Sequence, residues 1–325
     1  MENIDDAVKV LRDRERFYDP EQLFDARTAV QEALKIASLP FAPNEIIRDN
    51  YFSNPLLRLD WEDIDAQCRD LRYNMFSEWF SEKSAEIKNG NYDLIGISVP
   101  DLSQHIPAFT LAEILKKNCG VHINIGGNYI TQDAEDFMRH PEIFGEYADS
   151  LSVGDGEKAI VSLARFISGD LPQSEVMGLM YRDSAGAVRK KPAPERFKMS
   201  ELSRPDFSGV DFSKYFSPET VLPVQLGKGC YWGKCSFCDY YYGQQCFDIK
   251  SAEAAVRELE FYRDKYGIRH FMFIDEAVPP AYYSLLADKL IEKNLGIFYY
   301  SFARLEKEFT PELFSKRFIR IKPRA

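Results

Sequence analysis

A chain of 325 residues is long enough for two domains, each with a core of its own. Its net charge of −10 and lack of a basic stripe interleaved with aromatics argue against a nucleic-acid partner. No apolar run approaches the roughly 20 residues needed to span a bilayer, and the charged stretch Met1 to Arg16 lacks the apolar centre of a signal peptide. No membrane partner and a cytoplasmic location are therefore expected. Thiols stay reduced in that compartment, so the six cysteines are read as core residues or metal ligands rather than disulfides.

Residues 1–40 carry apolar positions at helical spacing, first Ala7, Val8 and Leu11, then Ala29, Val30, Ala33 and Leu34, with Pro20 and Pro40 as punctuation. After an irregular stretch, residues 61–88 read as one helix on the recurrence of Ile64, Cys68, Leu71, Met75 and Trp79. Cys68 lies on that stripe and is expected to be a buried core thiol. The pattern changes at Asp93, where a short apolar run of strand type reaches Val99. A helix from Ile106 to Asn118 follows, then the strand Val121 to Ile125 ending in Gly126-Gly127. A helix from Thr131 to Arg139, the strand Ser150 to Val153, the turn Gly154-Asp-Gly-Glu157 and a helix over 157–168 complete the block. Strands and helices in alternation predict a parallel, doubly wound sheet, whose ligands bind beyond the carboxyl ends of the strands, where these glycines fall.

Residues 171–220 read as a connector, with a hairpin from Met177 to Val188 turning at Ser184-Ala-Gly186. Arg189-Lys190-Lys191 reads as a solvated turn, and Pro192, Pro194, Pro205 and Pro218 mark an extended crossing. A second strand–helix series then opens with the strand Val221 to Leu226. It continues with a helix over 251–266, the strand His270 to Ile274 followed by Asp275-Glu276, a helix over 280–294 and a strand over 297–302. Thr310-Pro311-Glu312 has the capping threonine and early proline of a further helix.

Between the first strand and helix of that series lies Gly229-Cys230-Tyr-Trp-Gly-Lys-Cys235-Ser-Phe-Cys238, three thiols within nine residues. A cubane iron–sulfur cluster needs three soft ligands converging from one side if a fourth iron is to stay open. The alternative is a zinc site with Cys246 as fourth ligand, although zinc sites more often use two close pairs.

The loop resembles that of the radical S-adenosylmethionine superfamily, specifically its members with an N-terminal cobalamin-binding domain. The usual cysteine spacing there is three residues then two; here it is four then two, a variant some cobalamin-type members share. The resemblance runs from Leu94 to Glu157, similar to a cobalamin-binding domain, and from Val221 onward, similar to the start of the radical barrel. The implied fold class is α/β, a partial doubly wound cobalamin-binding-like domain followed by the first half of a (β/α) partial barrel. The implied divisions are a helical region over 1–90, the cobalamin-binding-like domain over 91–170, the connector over 171–220 and the half barrel over 221–325.

By position, the resemblance makes Cys230, Cys235 and Cys238 ligands of a 4Fe–4S cluster whose fourth iron chelates S-adenosylmethionine. Phe237 corresponds to the aromatic near the adenine, Asp275 and Glu276 to the acidic turn that contacts the methionyl ammonium. Arg304 stands where it could face the carboxylate or form a rim salt bridge. Tyr240, Tyr241 and Tyr242 are expected over the barrel mouth. Ser98, Gly126, Gly127, Gly154 and Gly156 fall where cobalamin domains approach the corrin and its nucleotide tail, glycine permitting close backbone approach. His105 follows Asp101 at the wrong spacing for a cobalt ligand.

The implied activity is reductive cleavage of S-adenosylmethionine to a 5′-deoxyadenosyl radical, with cobalamin-assisted methyl transfer or, alternatively, ring formation or rearrangement. A small-molecule or peptide substrate and an electron donor such as flavodoxin or ferredoxin are the implied partners. The rival reading is a non-catalytic or degenerate metal- or cobalamin-binding module, one that keeps a cluster or zinc for structure or serves as a cobalamin-binding scaffold. No first and second strands precede Leu94, the barrel series stops inside its third unit, and residues 317–325 leave the helical pattern begun at Pro311. The chain therefore reads as a fragment at both ends. Weak or absent cobalamin binding, self-association and little turnover are the corresponding expectations.

Overall fold

The computed structural model describes residues 4–47, 54, 56, 58, 60–193, 197–236, 238, 247–304 and 306–313. The chain divides into two compact units, one of residues 1–10 and 20–196, the other of 11–19 and 197–325.

Helices α1 (Ile4–Arg12) and α2 (Pro20–Ser38) form the N-terminal stretch. The helix expected over 61–88 is two, α3 (Trp61–Arg69) and α4 (Ser77–Lys88). The break has a local cause. Buried Asn74 donates from its amide to the Cys68 carbonyl (2.7 Å) and to Thr110 Oγ1 (2.8 Å), closing the end of α3 and turning the chain. Leu71 falls in the break and is exposed, while Trp61, Ile64 and Cys68 are buried.

The first unit then alternates strand and helix: β1 (Leu94–Ser98), α5 (His105–Asn118), β2 (His122–Gly126), three short helices α6 (Asn128–Gln132), α7 (Ala134–Phe137) and α8 (Ile143–Glu146), β3 (Ser150–Ser152) and α9 (Gly156–Ile167). β1, β2 and β3 are parallel and adjacent in chain order, with Ser98 opposite Gly126 and Asn124 opposite Ser150. Strand side chains alternate between faces, and each face has its own helix. Ile95 and Ile97 pack with Ile123, Ile125, Leu151 and the α5 residues Phe109 and Leu115. Leu94 packs with Leu163 of α9, and Gly96 faces Ile160 of the same helix.

The hairpin assigned to the connector belongs to this sheet. β4 (Leu179–Arg182) runs antiparallel to β3, and β5 (Val188–Lys190) pairs antiparallel with β4. Its turn is set by the Asp183 carboxylate, which accepts from the amides of Ala185 and Ala187, and by Gly186 in the left-handed region (φ +84°). Arg189 and Lys190 are thereby strand residues, paired with Asp183 and Glu135 respectively, rather than a solvated turn.

The second unit contains β6 (Val221–Val224), β7 (Gly227–Lys228), β8 (Asp248–Ile249), α10 (Ala252–Tyr266), β9 (His270–Phe273), α11 (Pro280–Lys293) and β10 (Phe298–Ser301). β6, β9 and β10 form a parallel sheet with β9 central. One face is covered: Leu222, Val224, Phe271 and Phe273 pack against Val256 and Leu259 of α10 and Tyr283 and Leu286 of α11. On the strands and just past their ends, Val221, Ile274, Phe298, Tyr300 and Phe302 are exposed. α10 starts on Ser251, whose hydroxyl accepts from the Ala254 amide, and ends at Gly267 with φ +70°. Residues 311–313 are helical, as the Thr-Pro-Glu signal predicts. Among the described residues no helix is long and apolar enough to cross a membrane.

Candidate metal and cofactor sites

The cysteine loop leaves the carboxyl end of β6 through a tightly built base. β7 and β8 pair antiparallel, Gly227 opposite Ile249. A Cβ on Gly227 would sit 2.7 Å from the Asp248 carbonyl oxygen, so only glycine fits there. The Lys250 amide donates to the Leu226 carbonyl (2.8 Å), and its ammonium makes a buried ion pair with Glu258 at 2.6 Å.

Asp275, just past β9, is turned into this base. Its carboxylate accepts from the amides of Leu226 (3.0 Å) and Gly227 (2.5 Å), and it is buried. Burial raises its pKa above the usual carboxylate range, while the two amide bonds pull the other way. Both oxygens are thus occupied by backbone, and the side chain ties the end of β9 to the start of the loop. Its neighbour Glu276 is exposed.

Within the loop Gly229 and Gly233 have φ of +78° and +55°, turning the chain on either side of Cys230-Tyr231-Trp232. Cys230, Cys235 and Cys238 are free thiols, the first half-buried and the other two exposed, and the Cys238 amide donates to the Cys235 carbonyl at 3.2 Å. Among the described residues no three His, Cys, Asp or Glu side chains converge as a metal site. The donor set nonetheless fits a cluster: three unpaired thiols on one loop, two reachable from solvent, the soft ligands that iron–sulfur clusters take. Cys68 and Cys119 are buried, and burial pushes the Cys68 thiol up to about 12, far from the thiolate that metals require. Phe237, Tyr240, Tyr241, Tyr242 and Cys246 lie outside the described residues.

Arg304 follows the third strand, and its charge is already engaged. Its guanidinium carbon lies 3.4 Å from the centre of the Trp232 ring, and Nη1 is 2.6 Å from Glu306 Oε1. The same Glu306 oxygen accepts from the Tyr231 hydroxyl, whose pKa is pushed up to about 12 by burial and by this carboxylate. Sequence reasoning missed Tyr231, Trp232 and Glu306. The aromatic pair between the first two cysteines was the only available signal.

In the first unit the turns Gly126-Gly127 and Gly154-Asp-Gly156 both lie past carboxyl ends of strands. They are joined by Thr131, whose hydroxyl donates to the Gly127 carbonyl (3.0 Å) and accepts from the Gly154 amide (3.0 Å). Gly127 has φ +112°, and a Cβ there would lie 2.6 Å from the Val99 carbonyl oxygen. One on Gly126 would lie 3.2 Å from Ser152 Cβ. Gly127 is therefore required by strand-end packing, whatever the ligand, while Gly126 is only closely packed against Ser152. Ser98 is exposed, and a Cβ on Gly156 would meet nothing within 4 Å, so those two positions leave room for a ligand's approach. Beneath them runs a buried polar ladder, also missed from sequence: Asn124 donates to Ser150 Oγ (2.9 Å) and accepts from Ser152 Oγ (2.9 Å). His105 opens α5, buried and stacked on Tyr129.

This fold recurs in solved structures. TsrM from Kitasatospora setae, a radical S-adenosylmethionine methyltransferase solved with tryptophan substrate and an S-adenosylmethionine analogue, superposes with a TM-score of 0.58 at 15% identity, covering 74% of this chain and 49% of that one. OxsB, a cobalamin-dependent S-adenosylmethionine radical enzyme solved with aqua-cobalamin, superposes with a TM-score of 0.56 at 22% identity, covering 73% of this chain and 34% of that one. The fold is thus similar to that of these two radical S-adenosylmethionine enzymes. A curated sequence relative, an uncharacterized methyltransferase of Pyrococcus horikoshii, is 25% identical over 217 residues, 66% of this chain and 44% of that protein. The chain thus spans between 34% and 49% of the length of these radical S-adenosylmethionine and methyltransferase relatives. No family model matches it.

Proposed function

We propose that this chain carries the cluster-binding and S-adenosylmethionine-binding half-site of a cobalamin-type radical S-adenosylmethionine methyltransferase. The observation that carries the reading is the placement of three free thiols, Cys230, Cys235 and Cys238, on one loop beyond the first strand of a parallel sheet. Those residues would hold a 4Fe–4S cluster. When bound, such a cluster supplies the electron that cleaves S-adenosylmethionine.

The remaining roles follow from which side chains are still available. Asp275 fixes the start of the loop through two backbone amides. Glu276, exposed on the same turn, is the carboxylate left to pair the methionyl ammonium. Phe237 is the residue proposed to pack beside the adenine. The first unit is read as the cobalamin-binding-like part, with Ser98 and Gly156 the positions open to ligand and Gly126, Gly127 and Gly154 shaping the turns beneath. The second unit is read as the first half of the barrel. Methyl transfer to a small-molecule or peptide substrate, with a flavodoxin- or ferredoxin-type electron donor, is the activity proposed for the whole protein.

Adding S-adenosylmethionine to the anoxically reconstituted, dithionite-reduced chain should alter its electron paramagnetic resonance spectrum, because the ligand chelates the open iron. A cluster whose spectrum ignores S-adenosylmethionine would leave a structural cluster and contradict the proposal.

A further inference from the structure

The proposed cluster loop is long and rich in glycine, yet one stretch of it is anchored. Trp232 sits between the first two cysteines, and the Arg304 guanidinium carbon lies over its ring, 3.4 Å from the centre. Arg304 is itself held by Glu306 at 2.6 Å, and Glu306 also accepts from the Tyr231 hydroxyl. Tyr231 in turn meets the Phe247 ring edge-on with centres 6.0 Å apart, at the far end of the loop where β8 begins. Lys234 adds a second cation 5.1 Å from the Trp232 ring. The contacts therefore join three segments: the loop at 231–232, its return at 247 and the chain just past β10 at 304–306.

We propose that Arg304 and Glu306 form a latch that fixes Cys230 and Cys235 relative to the end of β10, with Arg304 a positioning residue rather than a ligand of S-adenosylmethionine. The inference rests on the functional reading above only in naming what the loop is positioned for. The chemistry suits the task. A planar guanidinium can stack on an indole and donate to a carboxylate at once, which a lysine cannot do. The carboxylate in turn can accept from a phenol on the other side. Cys230 adjoins Tyr231 directly and Cys235 is three residues beyond Trp232. Holding 231–232 thus limits how far apart the first two thiols can move before any metal arrives, and reduces the ordering that assembly would otherwise require.

Hydrogen-exchange mass spectrometry on the metal-free chain is the test. Arg304→Leu should raise exchange at residues 229–236 by about fivefold, as expected for loss of a half-exposed cation–π contact. Trp232→Ala should do the same, and the double variant should show no further rise. Trp232→Phe, which keeps a ring face, should stay near wild type, and peptides from β9 and α11 should not change in any variant. After anoxic reconstitution with iron and sulfide, Arg304→Leu should release iron to a chelator several-fold faster than wild type. Unchanged loop exchange in Arg304→Leu, or additive effects in the double variant, would overturn the latch. So would weaker S-adenosylmethionine binding in Arg304→Leu with loop exchange unaltered, which would assign the arginine to the ligand. If the wild-type chain takes up no iron and sulfide, the functional reading fails, while the exchange data still decide the latch on their own.

Discussion

Lowering the pH from 7 to 4 should cost the first unit about 3 kcal/mol through His105 alone. The side chain is 1% exposed, its ring stacks on Tyr129 with centres 5.4 Å apart, and Nδ1 donates to the Leu102 carbonyl. Among the described residues Nε2 is buried with no hydrogen-bond partner. Burial therefore holds the pKa near 4, against 6.5 for an ordinary imidazole, with Asp101 pulling weakly the other way. The unfolded chain takes up a proton near pH 6.5 and the native chain only near 4. Between those values the unfolded state binds more protons, so stability falls as the pH falls and the loss is complete below 4. At about 1.4 kcal/mol per pH unit that interval gives at most about 3.5 kcal/mol, and about 3 kcal/mol is reached at pH 4, where the native imidazole is half protonated. His105→Asn keeps a donor for the Leu102 carbonyl but cannot charge in this range. It should be less stable than wild type at pH 7, because it leaves space beside Tyr129. Its profile between pH 6.5 and 4 should be flatter than that of wild type by about 3 kcal/mol. Urea titrations read by hydrogen exchange in α5 and β2 give both profiles. Parallel profiles would refute the argument that His105 is held neutral by burial.

Asp275→Asn leaves one acceptor oxygen for two amides and should cost ~1–3 kcal/mol in urea unfolding of the second unit. Because burial raises the Asp275 pKa, its favourable contribution is largest below the ordinary value of 3.8 and declines as the pH rises, so the variant's deficit should narrow from pH 3 to pH 7. Cys68→Ala and Cys119→Ala should leave iron and sulfide uptake unchanged, checked by metal analysis, since both thiols are buried in the apolar core of the first unit. Hydroxocobalamin should bind the chain weakly or not at all in a spectral titration: β1 is an edge strand among the described residues, with no strand paired on its outer side to extend the strand-end surface. Tight stoichiometric uptake would contradict this. The exposed stripe of Val221, Ile274, Phe298, Tyr300 and Phe302 should promote concentration-dependent association in analytical ultracentrifugation, reduced by Tyr300→Lys.

Much of the fold was legible because periodicity and punctuation agree in the strand–helix blocks. The runs at Asp93, Val121, His270 and residue 297 became β1, β2, β9 and β10 close to their expected limits. The sequence misled where tertiary contacts override local pattern. Residues 61–88 keep a helical stripe across Leu71, but Asn74 finds partners in Cys68 and Thr110 and breaks the helix. The hairpin at 179–190 was readable as a hairpin. Its attachment to β3 was not, because an antiparallel partner on a parallel sheet leaves no mark in strand composition. At the sites, spacing revealed the cysteines but could not show that Asp275 points inward while Glu276 points out. Nor could it pair Arg304 with Trp232, since two residues 72 positions apart meet only through the sheet.

A 4Fe–4S cluster held jointly by Cys230, Cys235 and Cys238 would be seen by counting iron, acid-labile sulfide and zinc per chain after anoxic reconstitution. About four irons and four sulfides are expected in the wild-type chain, with a marked loss of both in Cys230→Ala, Cys235→Ala and Cys238→Ala. Stoichiometric zinc without sulfide, abolished by Cys246→Ala, would contradict it.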